Sequence, residues 1–253
     1  MNKVLSGIFI VWSVFLFSQS KVLKSSKLVA KNKSSTPVTK KVPDHNLVIL
    51  NENLPLLIPK KINGNYGYVN QNGKFVIAPE YHIAMFFAED CNLLNSANPK
   101  AKKFGTDEFA TVDKNNISYR IDKTGKKVYQ YKSTDLGRCH TQFRKQLFHA
   151  YIMNGSYGII EDSKFSNPSD RSHFKIYPKY DYLHILEGDD LLNPMVVVSH
   201  KNKFGIIDVN NNIIIPFEYA DIKRNYSWKL GKMFEVTKDD VHYYYIDSNN
   251  KAY

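Results

Sequence analysis

The strongest constraint on this chain is that it repeats itself. Residues 65–81, opening Asn65-Tyr66-Gly67-Tyr68-Val69 and closing Glu80-Tyr81, align without a gap on residues 203–219, opening Lys203-Phe204-Gly205-Ile206-Ile207 and closing Glu218-Tyr219. Both read aromatic-Gly, two strand-forming residues, a polar turn, a strand-forming run, a proline, then Glu-Tyr. A third copy opens at Tyr157-Gly158, is interrupted by the polar stretch Ser163 to Ser172, and resumes from Phe174 to Asp181. Two weaker copies complete the series. Tyr119 to Tyr129 keeps the turn but has Ser118-Tyr119 where aromatic-Gly would stand, and Tyr243 to Lys251 is a half copy. Positions equivalent to Tyr66 fall at 66, 118, 157, 204 and 243, in steps of 52, 39, 47 and 39 residues. The period is that of a repeat fold with insertions in two copies.

The unit has a physical logic. Gly67, Gly158 and Gly205 each follow a large aromatic in a strand, where the absent side chain permits an irregular backbone or makes room for a neighbour. Gln71-Asn72-Gly73, Lys123-Thr124-Gly125 and Asn210-Asn211-Asn212 tolerate positive φ and close a hairpin. Val76-Ile77 and Ile213 to Ile215 give the returning strand its β-branched run. Pro79, Pro178 and Pro216 cannot donate to a ladder, so each ends or kinks that strand. No segment after the leader has a long helical period. The expectation is an all-β chain of about five antiparallel hairpin or three-stranded units of roughly 40 residues. A propeller-like ring and an open array both fit. The half copy would gain its missing strand from Leu47 to Leu50 or Leu56 to Ile58.

These residues resemble the WG repeat, also called KWG, whose unit reads Trp-Gly-Tyr-Ile-Asp, a turn with Gly-Lys, Val-Ile-Pro-Pro and a Tyr-Asp step. The resemblance covers Pro59 to Tyr253, with Tyr66, Tyr157 and Phe204 standing where the family usually has tryptophan. It implies a bacterial β-repeat module that mediates interactions, and it supplies no catalytic residue to transfer.

Residues 1–20 have the three parts of a secretory signal: Lys3, the apolar run Val4 to Phe17, and the small residues of Ser18-Gln19-Ser20. Cleavage is expected after Ser20, with Ser18 as the second choice. The apolar run is shorter than the roughly 20 residues a membrane helix needs, so no membrane span is expected after cleavage. Residues 21–43 read as a Lys/Ser-rich flexible tail, too poor in apolar area to offset its ordering entropy. The β-repeat domain is then 44–253. The formal net charge is +11, but residues 1–43 hold eight lysines and no acid, leaving +3 for the remainder. A polyanion-binding domain is therefore not indicated, and nucleic acid is not an expected partner.

Two cysteines in an exported chain, Cys91 and Cys139, leave open a disulfide or two unpaired thiols. The histidines show no HExxH or other ligand spacing, and Cys139-His140 adjacency is too little for a metal. Asp208 to Asn212 starts like a calcium loop, but Ile213 replaces the needed glycine and Tyr219 the closing glutamate, so a hairpin turn is the better reading. No nucleophile elbow or phosphate-cradling loop is present, and no cofactor is expected. The 17 Tyr and 15 Phe fill a β-repeat core, with a minority available as an exposed platform. Trp228, in the polar run Lys223 to Lys229, is the best candidate for an exposed contact. The expected function is that of a secreted or periplasmic, non-enzymatic protein that binds another protein at the cell envelope. The alternative is a module for envelope polysaccharide that uses exposed aromatics and the cationic tail.

Overall fold

The structure is a computed structural model and describes residues 47, 49–140, 145–166 and 168–253. It is an all-β repeat of five antiparallel sheets in which strands adjacent in sequence are adjacent in space. The first sheet holds β1 (Ile58–Ile62), β2 (Asn65–Val69) and β3 (Phe75–Tyr81). The second holds β4 (Ile83–Phe87), β5 (Ala110–Lys114), β6 (Ile117–Ile121) and β7 (Lys127–Gln130). The third holds β8 (Phe148–Met153), β9 (Ser156–Glu161) and β10 (Phe174–Tyr180). The fourth holds β11 (Tyr182–Ile185), β12 (Val196–His200), β13 (Lys203–Ile207) and β14 (Ile213–Tyr219). The fifth holds β15 (Asp221–Ile222), β16 (Phe234–Thr237) and β17 (Tyr244–Ile246). Three short helices, α1 (Cys91–Leu94), α2 (Pro99–Lys103) and α3 (Ser227–Gly231), lie between strands. No closed barrel is found among the described residues.

Two kinds of turn build the units, the first in the first four and the second in all but the third. The strand leading into the aromatic-Gly strand arrives through a two-residue loop, Asn63-Gly64, Asn115-Asn116, Asn154-Gly155 or Lys201-Asn202, with both residues at positive φ. That is the type I′ geometry whose twist matches the flanking strands. The strand leaving it turns around an Asn or Asp side chain. Asp208 Oδ1 accepts from the backbone N–H of Asn210 at 2.8 Å and of Asn212 at 2.9 Å. Asn70, Asp122 and Asp247 accept from the equivalent amides. Burial pushes the Asp208 carboxyl up, but the backbone and side-chain hydrogen bonds from Asn212 and Asn210 outweigh it and hold the carboxyl below its ordinary value of 3.8. The calcium-like look of Asp208 to Asn212 is thus a turn whose anion is used by the backbone.

The aromatic-Gly strand explains the proline. Tyr157 faces Tyr180 and Ile159 faces Ile176, so β10 carries two more residues than β9 between these pairs. The excess bulges over Gly158. A Cβ placed there would lie 2.4 Å from the Ile176 carbonyl oxygen and 2.7 Å from the Pro178 nitrogen. The same two-residue excess lies opposite Gly67, between the pairs Tyr66–Tyr81 and Tyr68–Ile77, and opposite Gly205, between Phe204–Tyr219 and Ile206–Ile215. Tyr119 occupies the glycine position in the second unit, which has no such excess, and β7 is only four residues long.

The bulge carries the chain from one sheet to the next. Tyr81, Tyr180 and Tyr219 end their strands as buried rings, and β4, β11 and β15 begin two residues later as the first strands of the following sheets. Tyr180 donates to Asn211 Oδ1 at 2.7 Å, and Tyr219 donates to Asn250 Oδ1, so each ring is latched to the turn of the next unit. Gly125 stands at the matching turn position for Tyr81, whose buried hydroxyl has no hydrogen-bond partner among the described residues.

Core clusters lie where consecutive sheets meet. Tyr68, Ile77, Tyr81, Val112 and Ile121 join the first sheet to the second. Ile159, Ile176, Leu183, Val198 and Ile207 join the third to the fourth. Ile206, Ile215, Ile222, Phe234 and Ile246 join the fourth to the fifth. A further cluster of Ile58, Val69, Phe86, Met233 and Tyr253 ties the first and fifth sheets together. The expected strand exchange between these two does not occur. β1 pairs with β2, and the outer place beside β17 is taken by an Ala252 bridge to Ile246. Ile49 belongs to no strand, and Val48 lies outside the described residues. Closure is instead by side chains: Lys251 Nζ donates to the Gln71 carbonyl at 3.1 Å. The buried Gln71 amide also binds the backbone of Leu50, Asn51, Leu54 and Pro55.

Gly158→Ala is expected to destabilise the fold by about 1–3 kcal/mol in chemical denaturation, because the obstructing atoms are backbone and ring rather than a movable side chain. Asp208 has its folded-state pKa depressed below 3.8, so its contribution is complete above that value and is lost as pH falls through the folded value. Asp208→Asn, which places in this turn the residue found at Asn70, should retain the fold and reduce the loss of stability between mildly and strongly acidic buffer. An unchanged acid dependence would contradict this account.

Candidate functional site

The motif residues were the first candidates, and most serve the core. Tyr157 and Phe204 lie on either side of Tyr182, with centroids 5.9 Å from it in both cases, and Arg224 sits over Tyr182 and Phe204 at 5.1 and 5.5 Å. They form an inter-unit ladder. Tyr66 is elsewhere, in a crevice of about 40 Å³ between the first and fifth sheets, with Glu235, Tyr243, Tyr245 and Tyr253. Burial raises the Glu235 carboxyl, which accepts from Asn225 Nδ2 at 2.6 Å. Burial and the Asp221 carboxylate push the Tyr243 phenol up to about 12. A second crevice of about 130 Å³ is lined by Leu56, Leu57, Phe87 and Lys123 among others. Both are small beside the several hundred Å³ of an ordinary ligand pocket.

Trp228 was expected as an exposed contact, but the structure places it half-buried. Its ring stacks on Phe234 with centroids 4.7 Å apart and planes 5° from parallel, against the core of the last two sheets. Being the largest ring of α3, it anchors that helix, and the exposed ring of the segment is its neighbour Tyr226.

The two insertions in the repeat have different fates. The one carrying α1 and α2 is bound down. Arg120, only 2% exposed, donates from Nε to the Phe104 carbonyl at 2.6 Å, from Nη1 to Thr111 Oγ1 at 2.9 Å and from Nη2 to the Thr106 carbonyl at 2.9 Å. Cys91 and Cys139 are joined in a disulfide that ties α1 to the segment after β7. Gly137 N donates to the Asn92 carbonyl at 2.7 Å alongside it.

The other insertion, residues 162–173, makes a surface. Two short 3₁₀ turns, Asp162–Lys164 and Arg171–His173, fold over the outer face of the third sheet. A one-residue shift between Phe174 and Ile176 turns Phe174 toward the side of Tyr151, away from the buried Ile176. The result is a contiguous shelf. Phe165 lies 4.7 Å from His149 and 6.2 Å from Tyr151, Tyr151 lies 5.5 Å from Phe174, and Phe174 lies 5.5 Å from Tyr177. The Arg171 guanidinium sits 4.5 Å over the Tyr177 ring. Phe165 is 45% exposed and Tyr177 38%. Asp162 fixes one end, meeting His149 Nε2 at 2.8 Å and Lys145 Nζ at 3.2 Å, and these partners hold its carboxyl below the ordinary range. In the sequence this stretch reads only as an interrupting loop. The available signal was Phe165 and Arg171, an aromatic and a guanidinium set in an otherwise small, polar run.

The shelf offers contact area and hydrogen bonding rather than an enclosed reaction space. No group of three or more His, Cys, Asp or Glu residues placed to hold a metal occurs among the described residues. Among those residues no helix is long and apolar enough to cross a membrane.

Fold and surface together define an antiparallel β-repeat protein, latched unit to unit and carrying one decorated sheet. It is a WG-repeat-containing protein: the family described as "WG containing repeat" matches residues 66–91 and 204–227, in the first and fourth units. No curated protein and no solved structure matches the chain.

Arg120→Ala would leave three acceptors without their charged donor, and is expected to cost about 3 kcal/mol or more in denaturant unfolding. A loss comparable to a surface substitution would show that Arg120 does not hold the insertion.

Proposed function

We propose that this is an exported, non-enzymatic β-repeat protein, secreted or periplasmic, whose third unit presents the shelf of Tyr151, Phe165, Phe174, Tyr177 and Arg171 to a protein partner. The shelf is the observation that carries the reading. It stands outside the repeating core, is built by an insertion that the other units lack, and exposes rings that no inter-sheet contact requires. Aromatic residues and arginine are enriched where protein interfaces concentrate their energy. Export is supported by the signal-like residues 1–20 and by a disulfide tying α1 to the segment after β7, a linkage suited to an oxidising compartment.

Rings beside a guanidinium also suit a sugar face, so envelope polysaccharide is the competing ligand class. Mature protein should be tested against envelope protein extract and against purified envelope polysaccharide, alongside a Phe165→Ala/Tyr177→Ala variant. Retention by the protein fraction, reduced about tenfold or more in the variant, is expected; two interface rings commonly contribute that much. Retention by polysaccharide alone would overturn the ranking, and binding unaffected by the variant would remove the shelf as the site.

A further inference from the structure

Among the described residues the third sheet lacks a strand that the second, fourth and fifth sheets possess. In those three, the residues just past the preceding unit form the outermost first strand: β4, β11 and β15. Each also packs on the preceding sheet, β4 on β1 and β2, β11 on β8 and β9, and β15 on β13. The third sheet begins with β8, bonded to β9 on one side and to no strand on the other among the described residues. No strand packing of similar extent joins it to β7.

The reason is visible in the segment that would have filled the place. Residues after β7 turn into a 3₁₀ helix, Ser133–Asp135. The Asp135 carboxylate takes hydrogen bonds from Asn98 at 3.0 Å, Tyr129 at 3.1 Å and the Lys132 amide at 3.0 Å, and the Cys91–Cys139 disulfide follows. Residues 131–139 are thereby held on the second sheet.

Open edges are usually guarded by lysine, proline or irregularity. The first sheet also begins without an outer strand, and its edge β1 reads Ile-Pro-Lys-Lys-Ile and packs against β17. β8 reads Phe-His-Ala-Tyr-Ile-Met, with no lysine, arginine, acid or proline, and Ile152 is 57% exposed. Its nearest described cation, Lys145, is paired with Asp162. The two-residue loop Asn154-Gly155 makes Met153–Ser156 a mutually bonded pair. Alternation then turns the backbone N–H and C=O groups of Phe148, Ala150 and Ile152 outward.

That outward row is complementary to itself. An antiparallel approach of two β8 strands centred on Ala150 sets Ala150 against Ala150, Phe148 against Ile152, and His149 against Tyr151. Small residues meet at the axis, an aromatic meets a β-branched residue on either side, and no like charges face each other. We propose that β8 pairs across a two-fold axis with β8 of a second copy of this chain, joining two three-stranded sheets into one of six strands. Such a pairing is isologous: it uses the same β8 edge of both copies and closes at two chains. It uses the backbone edge of the third sheet, with His149 and Tyr151 of the shelf meeting across the seam, and stands whether or not the outer rings Phe165 and Tyr177 bind another protein.

The test is the oligomeric state of mature, disulfide-intact protein by sedimentation equilibrium across the micromolar range. A reversible dimer is expected. Ile152→Lys and, separately, Ala150→Pro should each weaken it by about tenfold or more while leaving the thermal unfolding transition in place. Ala150→Cys should give a covalent dimer on mild oxidation, since a bonded antiparallel pair sets its α-carbons about 5.5 Å apart. Val241→Cys, at an exposed site remote in sequence, should not. A wild-type monomer at every concentration, or a dimer indifferent to both edge variants, would overturn the proposal. So would a dimer whose Ala150→Cys form does not cross-link.

Discussion

Backbone resting on backbone at Gly158, and equally at Gly67 and Gly205, is the contact from which the rest of this architecture follows. A side chain at these positions would collide with a carbonyl of the returning strand, and with its proline at Gly67 and Gly158 or the Phe217 ring at Gly205. Without one, the strand takes up two extra residues, buries the tyrosine that ends it, and passes into the following sheet as its first strand. At the Gly158 and Gly205 junctions the tyrosine hydroxyl then reaches the turn of the next unit, Tyr180 to Asn211 and Tyr219 to Asn250. Local chain geometry and the coupling between units therefore have a single cause.

The second unit shows what happens without that contact. Tyr119 fills the glycine position, no proline follows, β7 stops after four residues, and the chain leaves the sheet for a 3₁₀ turn and a disulfide. The third sheet consequently starts one strand short. The departures of the second copy from the motif, Ser118-Tyr119 for aromatic-Gly and the missing proline, thereby accompany an interruption in the array and an apolar edge, FHAYIM, where the starting edge of the first sheet is protected by Pro59, Lys60 and Lys61.

Decoration follows the same division between regular and irregular. Copies that keep the Asn or Asp turn close tightly and expose little. The third copy replaces that turn with residues 162–173, and the freed chain carries Phe165 and Arg171 onto the outer face beside Tyr151 and Tyr177. The insertion in the second unit is instead consumed by structure, its carbonyls turned to the buried Arg120 guanidinium. Insertions in a repeat protein need a polar anchor or an exposed face, and this chain has one of each.

Periodicity alone established the all-β class, the aromatic-Gly strand, the polar turn and the proline, because each is a short-range demand of backbone sterics on residues close in sequence. The Asn-Gly and Asn-Asn loops two residues before the repeat were equally local and were there to be read. The shelf was not, because His149, Tyr151, Phe165 and Tyr177 come together only through strand pairing and a register shift. Trp228 shows the same limit: a ring in a polar run looks exposed until Phe234 is found beneath it. The way the first and fifth sheets meet, by Lys251, Gln71 and Tyr253 rather than by exchanging a strand, and the open side of β8, were likewise decided only by the tertiary structure. They depend on which surfaces remain unpaired once every local rule has been satisfied.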